Sequence, residues 1–336
     1  MQSLSLRSEE QLKATSWKLP FFTIWTGQAF SLIGSRVVQF ALVWWLTQLT
    51  GSATVLATAS MVAIIPEIFL APIAGAYVDR WNRRLVMIAA DGAIALALLW
   101  LAYLFWLDAV QIWHIYIIMG VRAVGGSFHW PAMQASTSLM VPQKHLTRVA
   151  GLNQTLNGTL SIIGPPLGAL LMGLLPLSSV MLVDVGTAAL AITSLLFVHI
   201  PQPRRDDLGV DKPTIWADMG QGLRYIWGWS GLVTLIGMAM ILKIALTPAF
   251  SLLPLLVSQH FNGDAAQLSL LEAVAGVGIV VGGLILSVWG GFKRKIYTTM
   301  MGTIILGLSF LALGLTPAGL FSSALASTLV IGLMIP

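Results

Sequence analysis

Long apolar runs alternate with short polar breaks along almost the whole chain. Ten of these runs are long enough to cross a bilayer, near 21–48, 53–77, 85–107, 111–135, 149–174, 178–200, 231–257, 265–289, 296–315 and 318–336. A helix needs about 20 mostly apolar residues to span the hydrocarbon, and inside lipid a helix satisfies its own backbone. The pattern therefore predicts an all-α membrane protein with ten transmembrane helices. One stretch, 201–230, breaks the rhythm. It opens on Pro201 and Pro203, continues through Arg204, Arg205, Asp206 and Asp207, and carries Trp216, Tyr225, Trp227 and Trp229 among polar residues. Aromatic rings with basic groups suit the headgroup layer, so 201–230 reads as a cytoplasmic linker with an interfacial helix over Thr214–Trp229. It divides the chain into an N-terminal bundle, 1–200, with six runs, and a C-terminal bundle, 231–336, with four.

Composition removes the soluble alternative. Hydrophobic residues make up 57% of the 336 and charged residues 9%, whereas soluble domains carry about 25% charge. The net charge of +5 would suggest a nucleic-acid partner in a soluble protein. Here the positions of the charges give a better account, and no nucleic acid is expected. Of the 18 Lys and Arg, all but Arg36, Arg122 and Lys243 lie in the N-terminal tail or in the second, fourth, sixth and eighth connections. That asymmetry places the N-terminus and those loops in the cytoplasm, with the chain in the plasma membrane. The first twenty residues carry Arg7, Glu9, Glu10, Lys13 and Lys18 and lack the apolar core of a cleavable leader. The chain has no cysteine, which excludes disulfide and thiol chemistry. No nucleotide-binding loop, nucleophile–base pair or zinc spacing is found, so neither enzyme chemistry nor a cofactor or metal is expected.

The second connection is the most specific stretch. Gly75-Ala76-Tyr77-Val78-Asp79-Arg80-Trp81-Asn82-Arg83-Arg84 packs one acid and three arginines between two apolar runs. Gly75 can let its helix approach a neighbour closely, and Asp79 can cap the next helix or one docked nearby. The spacing Gly-x-x-x-Asp-Arg-x-x-Arg-Arg resembles the loop signature of the major facilitator superfamily. Arg122-Ala123-Val124-Gly125-Gly126 with Pro131-Ala132 is similar to that superfamily's fourth-helix motif. Gly164-Pro165-Pro166-Leu167-Gly168 is similar to its fifth-helix exchanger motif, with Leu160 and Ala169 where glycines are usual. Gly27-Gln28, Leu42-Val43-Trp44-Trp45-Leu46, Leu49-Thr50-Gly51-Ser52-Ala53 and Trp130-Pro131-Ala132-Met133-Gln134-Ala135 resemble the macrolide-efflux branch of drug exporters.

The resemblance implies two six-helix bundles around a central cavity. It also implies proton-coupled efflux of a lipophilic small molecule, with Asp79 and its arginines gating the cytoplasmic side and the chain acting as a monomer. The two sides look like parallel repeats offset by roughly 210 residues. Gly282-Gly283 followed by Trp289 to Lys295 stands where a second copy of the loop belongs; it keeps glycines and a basic run but lacks the acid. Four runs after the linker give the expectation that the C-terminal two helices are missing and that the chain is a fragment. Uptake of a metabolite, or flipping of a lipid such as a lysophospholipid, uses the same fold. A non-transporting scaffold is disfavoured because a purely structural bundle would gain by losing its intramembrane charges.

Those charges are Arg36, Glu67, Asp91, Arg122, Asp184, Lys243 and Glu272. At the bilayer centre each costs about 2.5–3.5 kcal/mol, so each needs a partner or a wet cavity. Arg122 is the leading candidate for proton coupling: it is near mid-membrane, permanently charged, and beside Gly125 and Gly126, which permit close helix approach. Glu67 is its expected carboxylate partner, with Asp91 second, and the alternative is a static buried pair. Asp184 and Glu272 lie shallower and are more often structural. Arg36 is a candidate cavity cation or a balance for Glu67. Gln28 and the Asn153, Asn157, Ser161 face of the fifth run are candidates for the cavity lining; interhelical hydrogen bonding explains that face equally well. Gly164, Pro165 and Gly168, with Gly158, are expected to serve helix packing against Gly278 and Gly282. His114 and His129 read as isolated structural histidines.

Overall fold

The computed structural model describes residues 17–201, 220, 222 and 224–336. The described residues fold into ten main helices: α1 Lys18–Thr50, α2 Ala53–Val78, α3 Arg83–Trp106, α4 Ile112–Met140, α5 Leu146–Leu174, α6 Leu177–Phe197, α7 Ser230–Ser251, α8 Ala265–Trp289, α9 Lys295–Gly314 and α10 Phe321–Met334. After α7 the chain continues through a short helix, Leu253–Leu255, and a π turn, Leu256–His260. Every expected apolar run is a helix. Eight helical segments are long and apolar enough to cross a membrane. The two others are α4, which is long but diluted by His114, Arg122, His129 and Gln134, and α10, which has 14 residues.

α4 departs from the expected boundary, running past 135 to Met140, and α7 ends at Ser251, short of the expected 257. The polar end of α4 does not break that helix, because Ser136 and Thr137 turn their hydroxyls back onto the carbonyls of Ala132 and Met133 at 2.7 and 2.9 Å. Hydroxyls satisfied within their own helix carry no desolvation cost that would favour a loop. Prolines 66, 72, 131, 165, 166 and 248 all sit inside helices, as membrane helices tolerate. The α1–α2 turn needs Gly51, whose φ is +54°. The expected interfacial helix over Thr214–Trp229 lies mostly outside the described residues; of it, 220, 222 and 224–227 are helical. Arg7, Lys13, Trp216 and the linker charges of 204–212 also lie outside them.

Contacts group the chain into two compact units. The first gathers described residues of 1–31, 58–149 and 181–248, the second those of 32–57, 150–180 and 249–336. Each unit thus draws on segments from both sides of the linker. The first unit holds a core of Ile24, Val78, Val86, Met87, Ala132 and Leu195, among others. Beside it Phe21, Val141 and Val149 pack with Trp17 and Trp25.

In the second unit, Gly278 and Gly282 of α8 lie against the backbone of Leu329 and Leu333 of α10, and Gly332 answers from α10 against Ala275. A Cβ at any of the three would collide with a carbonyl, so this is a small-x-x-x-small helix contact. The expected packing of α5 glycines on Gly278 and Gly282 is therefore corrected: α10 occupies that face. Gly158 of α5 meets Val280, while Gly164 and Gly168 make room for Arg36 and Phe40 of α1.

Candidate functional site

The acidic–basic loop between α2 and α3 ties helix ends together inside the first unit. Asn82 caps α3, its side-chain oxygen accepting from the backbone of Arg84 and Leu85 at 3.1 and 3.4 Å. This corrects the expected capping of α3 by Asp79. Asp79 is three-quarters exposed and pairs with Arg83 at 3.6 Å. Arg83 is buried and donates from Nη1 to the carbonyl of Ala135 in the last turns of α4 at 2.9 Å. Arg84 donates from Nη2 to the carbonyl of Leu196 at the end of α6 at 2.6 Å. Leu196 lies in the last turn of α6, where carbonyls lack intrahelical donors and carry partial negative charge, so a cationic donor suits that position. Gly75 has no neighbour within 4 Å of where a Cβ would stand, so its expected role in close approach is not what the structure shows.

Four of the intramembrane charges form two pairs in the first unit. Arg122 Nη1 of α4 lies 2.7 Å from Asp184 Oδ2 of α6, with the side chains 14% and 2% exposed. Lys243 Nζ of α7 lies 3.7 Å from Glu67 Oε1 of α2, with 53% and 56% exposed. The expected pairing of Arg122 with Glu67 is thereby corrected. Level alone hardly separates the two carboxylates: at 1.5 Å per residue, Arg122 stands about 15 Å along α4, Asp184 about 10 Å along α6 and Glu67 about 21 Å along α2. All three helices start from the same expected side, so the face that α6 turns to α4 decides the pairing. A short charge-assisted contact to a buried carboxylate is strong, and neither charge can be stranded there cheaply.

Asp91 holds a second polar cluster. Gln28 Nε2 of α1 donates to Asp91 Oδ2 at 3.1 Å, and His129 Nε2 of α4 stands 3.4 Å from Asp91 Oδ1. Gln28 and Asp91 are both buried. His129, read from sequence as isolated, is thus placed against a carboxylate. Counting inward from the ends of α1, α3 and α4 on the expected cytoplasmic side puts all three residues about 12–16 Å deep. That common level was the available signal. Imidazole and carboxylate are both proton acceptors, and their 3.4 Å contact is longer than an ordinary hydrogen bond. His114 is a structural histidine: its Nδ1 accepts from the Gln111 backbone at 2.9 Å at the start of α4, beside Trp100.

The remaining candidates are spread. Gly125 faces Ile94 of α3 at 2.9 Å from a notional Cβ, so it serves close packing, whereas Gly126 faces nothing within 4 Å and does not. Gln28 belongs to the first unit, and Arg36, Asn153 and Asn157 to the second. Asn153 and Asn157 are half-buried on α5, and the Asn157 carbonyl accepts from Ser161 at 3.0 Å. Arg36 is exposed, and its charge acts on Glu272 of α8. Pro165 lies within α5. No cluster of His, Cys, Asp and Glu suited to a metal occurs among the described residues.

Residues 24–336 match the family described as Major Facilitator Superfamily. The chain is 33% identical over 324 residues to Macrolide efflux protein A of Streptococcus pyogenes, covering 96% of this chain and 80% of that protein. It is 30% identical over 286 residues to Macrolide efflux protein A of Enterococcus faecalis, covering 85% and 88%. Among solved structures, a bacterial homologue of the human lysosomal transporter Spinster superposes with a TM-score of 0.68 at 11% identity, over 95% of this chain and 74% of that one. A D-xylose–proton symporter superposes with a TM-score of 0.59 at 13% identity, over 93% and 79%. At such identities these two likenesses speak to the fold alone.

Proposed function

The chain belongs to the Major Facilitator Superfamily and is a multi-pass membrane transporter of small molecules, and from that premise we propose that it exports lipophilic, macrolide-like compounds in exchange for protons. The names of the relatives support the substrate class and the direction. Placement in the plasma membrane, a cytoplasmic N-terminus, a monomeric state and bundles of 1–200 and 231–336 joined by 201–230 complete the reading.

The observation that carries the proton part is the buried Arg122–Asp184 pair. The guanidinium is permanently charged, so only the carboxylate can change state. Protonating Asp184 removes the negative partner and leaves Arg122 to find other acceptors or water. Proton uptake is thereby tied to repacking between α4 and α6, a rearrangement that bound substrate favours or opposes through its own contacts. Asp91 with His129 supplies a second proton-accepting pair at another level of α4. Glu67 and Lys243, half exposed, require water or headgroups nearby because lipid does not solvate them.

Everted vesicles given a fluorescent macrolide in the medium, with and without an imposed proton gradient, test the reading. Accumulation that depends on the gradient is expected; uptake indifferent to it would refute the coupling. A cysteine replacing exposed Lys293, in a chain with no native cysteine, tests sidedness. An impermeant thiol reagent should label it in everted vesicles and not in intact cells.

A further inference from the structure

The two buried polar pairs of the first unit share one helix. Arg122 and His129 of α4 are seven residues apart, about 10 Å along its axis. Seven residues make nearly two full turns, so both side chains leave the same face, and Gly126 falls between them within about 60° of each. Gly126 is exposed, and nothing lies within 4 Å of where its Cβ would stand. Packing gives it no purpose, since its neighbour Gly125 is the one that receives Ile94 of α3.

The pairs at either end are built differently. Asp184 is fully engaged with Arg122 at 2.7 Å. His129 Nε2 is buried without a hydrogen-bond partner, 3.4 Å from Asp91 Oδ1, while Gln28 donates to the other carboxylate oxygen at 3.1 Å. A protonated ring would turn that long contact into a charge-assisted hydrogen bond, so the cluster has a place for one proton. Other charges on the neighbouring helices are occupied: Arg83 of α3 holds the Ala135 carbonyl, and Glu67 of α2 is paired with Lys243.

Arg122 lies about 15 Å from the start of α4 and His129 about 16 Å from its end. On the expected topology the first pair is nearer the outside and the second nearer the cytoplasm. Lipid solvates neither an arginine nor a histidine, so the open face between them suits water. About three waters, hydrogen-bonded at about 2.8 Å, bridge such a span.

We propose that Gly126 holds open a water-filled proton path from the Asp184–Arg122 pair to the His129–Asp91 pair. Protonated Asp184 gives its proton to the water chain and re-forms its pair with Arg122 as a carboxylate. The chain delivers a proton to the neutral His129 ring, which becomes an imidazolium bonded to the Asp91 carboxylate. Release of that proton toward the cytoplasm returns the ring to neutral. The path rests on the proton-coupled export proposed above and gives it a route.

The test uses the full chain in liposomes and two measurements. One is accumulation of a fluorescent macrolide driven by a proton gradient. The other is exchange of macrolide across the membrane without a gradient, which needs no net proton transfer. Gly126→Leu should lower driven accumulation about a hundredfold, the lower end of what a positioned proton-transfer group contributes, and keep exchange. His129→Gln, which leaves an amide beside Asp91 that carries no proton, should do the same. The two variants guard against either one failing to fold, and the thermal transition reports folding in each. Gly126→Ser should recover most of the loss, because a hydroxyl donates and accepts as a water does. Gly173→Leu adds the same side chain at an exposed α5 glycine with nothing within 4 Å and should change neither measurement. Equal loss of accumulation and exchange in folded Gly126→Leu would replace the path with a steric role for that face. Undiminished accumulation in folded Gly126→Leu or His129→Gln would overturn the path and leave coupled export standing. Accumulation indifferent to the gradient in the parent chain would overturn both.

Discussion

Arg122 with Asp184 and Lys243 with Glu67 are both ion pairs on membrane helices of the same unit, yet they differ in every physical respect. The first is 2.7 Å long with its carboxylate 2% exposed, and the second is 3.7 Å long with both partners more than half exposed. A buried pair is an obligation: its charges were taken out of water, and each depends on the other. An exposed pair is optional, because each charge has solvent or headgroups as an alternative partner. Only the first kind makes protonation of one group a structural event for its neighbours.

The sharpest way to break that contrast is Arg122→Ala, which leaves Asp184 charged and buried. We expect a loss of about 3–5 kcal/mol, read as a large drop in folded yield. Arg122→Ala combined with Asp184→Asn should recover most of it, since both charges then leave together. Full yield from the single variant would show that Asp184 finds another partner. Arg84→Gln comes next: it removes a charged donor from the Leu196 carbonyl and should cost about 1.5–3 kcal/mol, seen as a lower thermal transition. The double change Glu67→Gln with Lys243→Met should cost less than about 1 kcal/mol. A larger effect would mean that this pair is less accessible to water than its exposure implies. Smallest is Asp79→Asn, which removes an exposed i,i+4 contact to Arg83 and should cost about 0.2–0.5 kcal/mol. A larger destabilisation would give Asp79 a partner beyond Arg83.

How far the sequence reached follows from the same physics. Apolarity fixes which segments enter lipid, so the helices are readable to within a few residues, the ends of α4 and α7 excepted. The polar end of α4 stays helical through backward hydroxyl bonds that no apolar count detects. The charged residues were readable as a set, because each one is costly in lipid. Their pairing was not. A charge finds its partner through the facing of two helices, and Glu67, Asp91 and Asp184 all looked available to Arg122. Similarly, Gly125 and Gly126 are adjacent in sequence and identical in chemistry, yet one faces Ile94 and the other open space. By sequence the loop after α8 looks like a repeat of the loop after α2. In the structure Lys295 bonds back to the Gly290 carbonyl and Phe292 to Thr298. That loop closes on itself, while Arg83 and Arg84 reach carbonyls far along the chain.

Proton coupling at the Arg122–Asp184 pair is tested most directly by proton movement on adding a macrolide to purified protein in weakly buffered detergent solution. The protein is first equilibrated at a pH acidic enough that Asp184 begins protonated, in the parent chain and in Asp184→Asn. The parent should release protons as macrolide binds and the pair re-forms, and the variant should bind macrolide without release. Undiminished release from a folded, macrolide-binding Asp184→Asn would contradict that coupling.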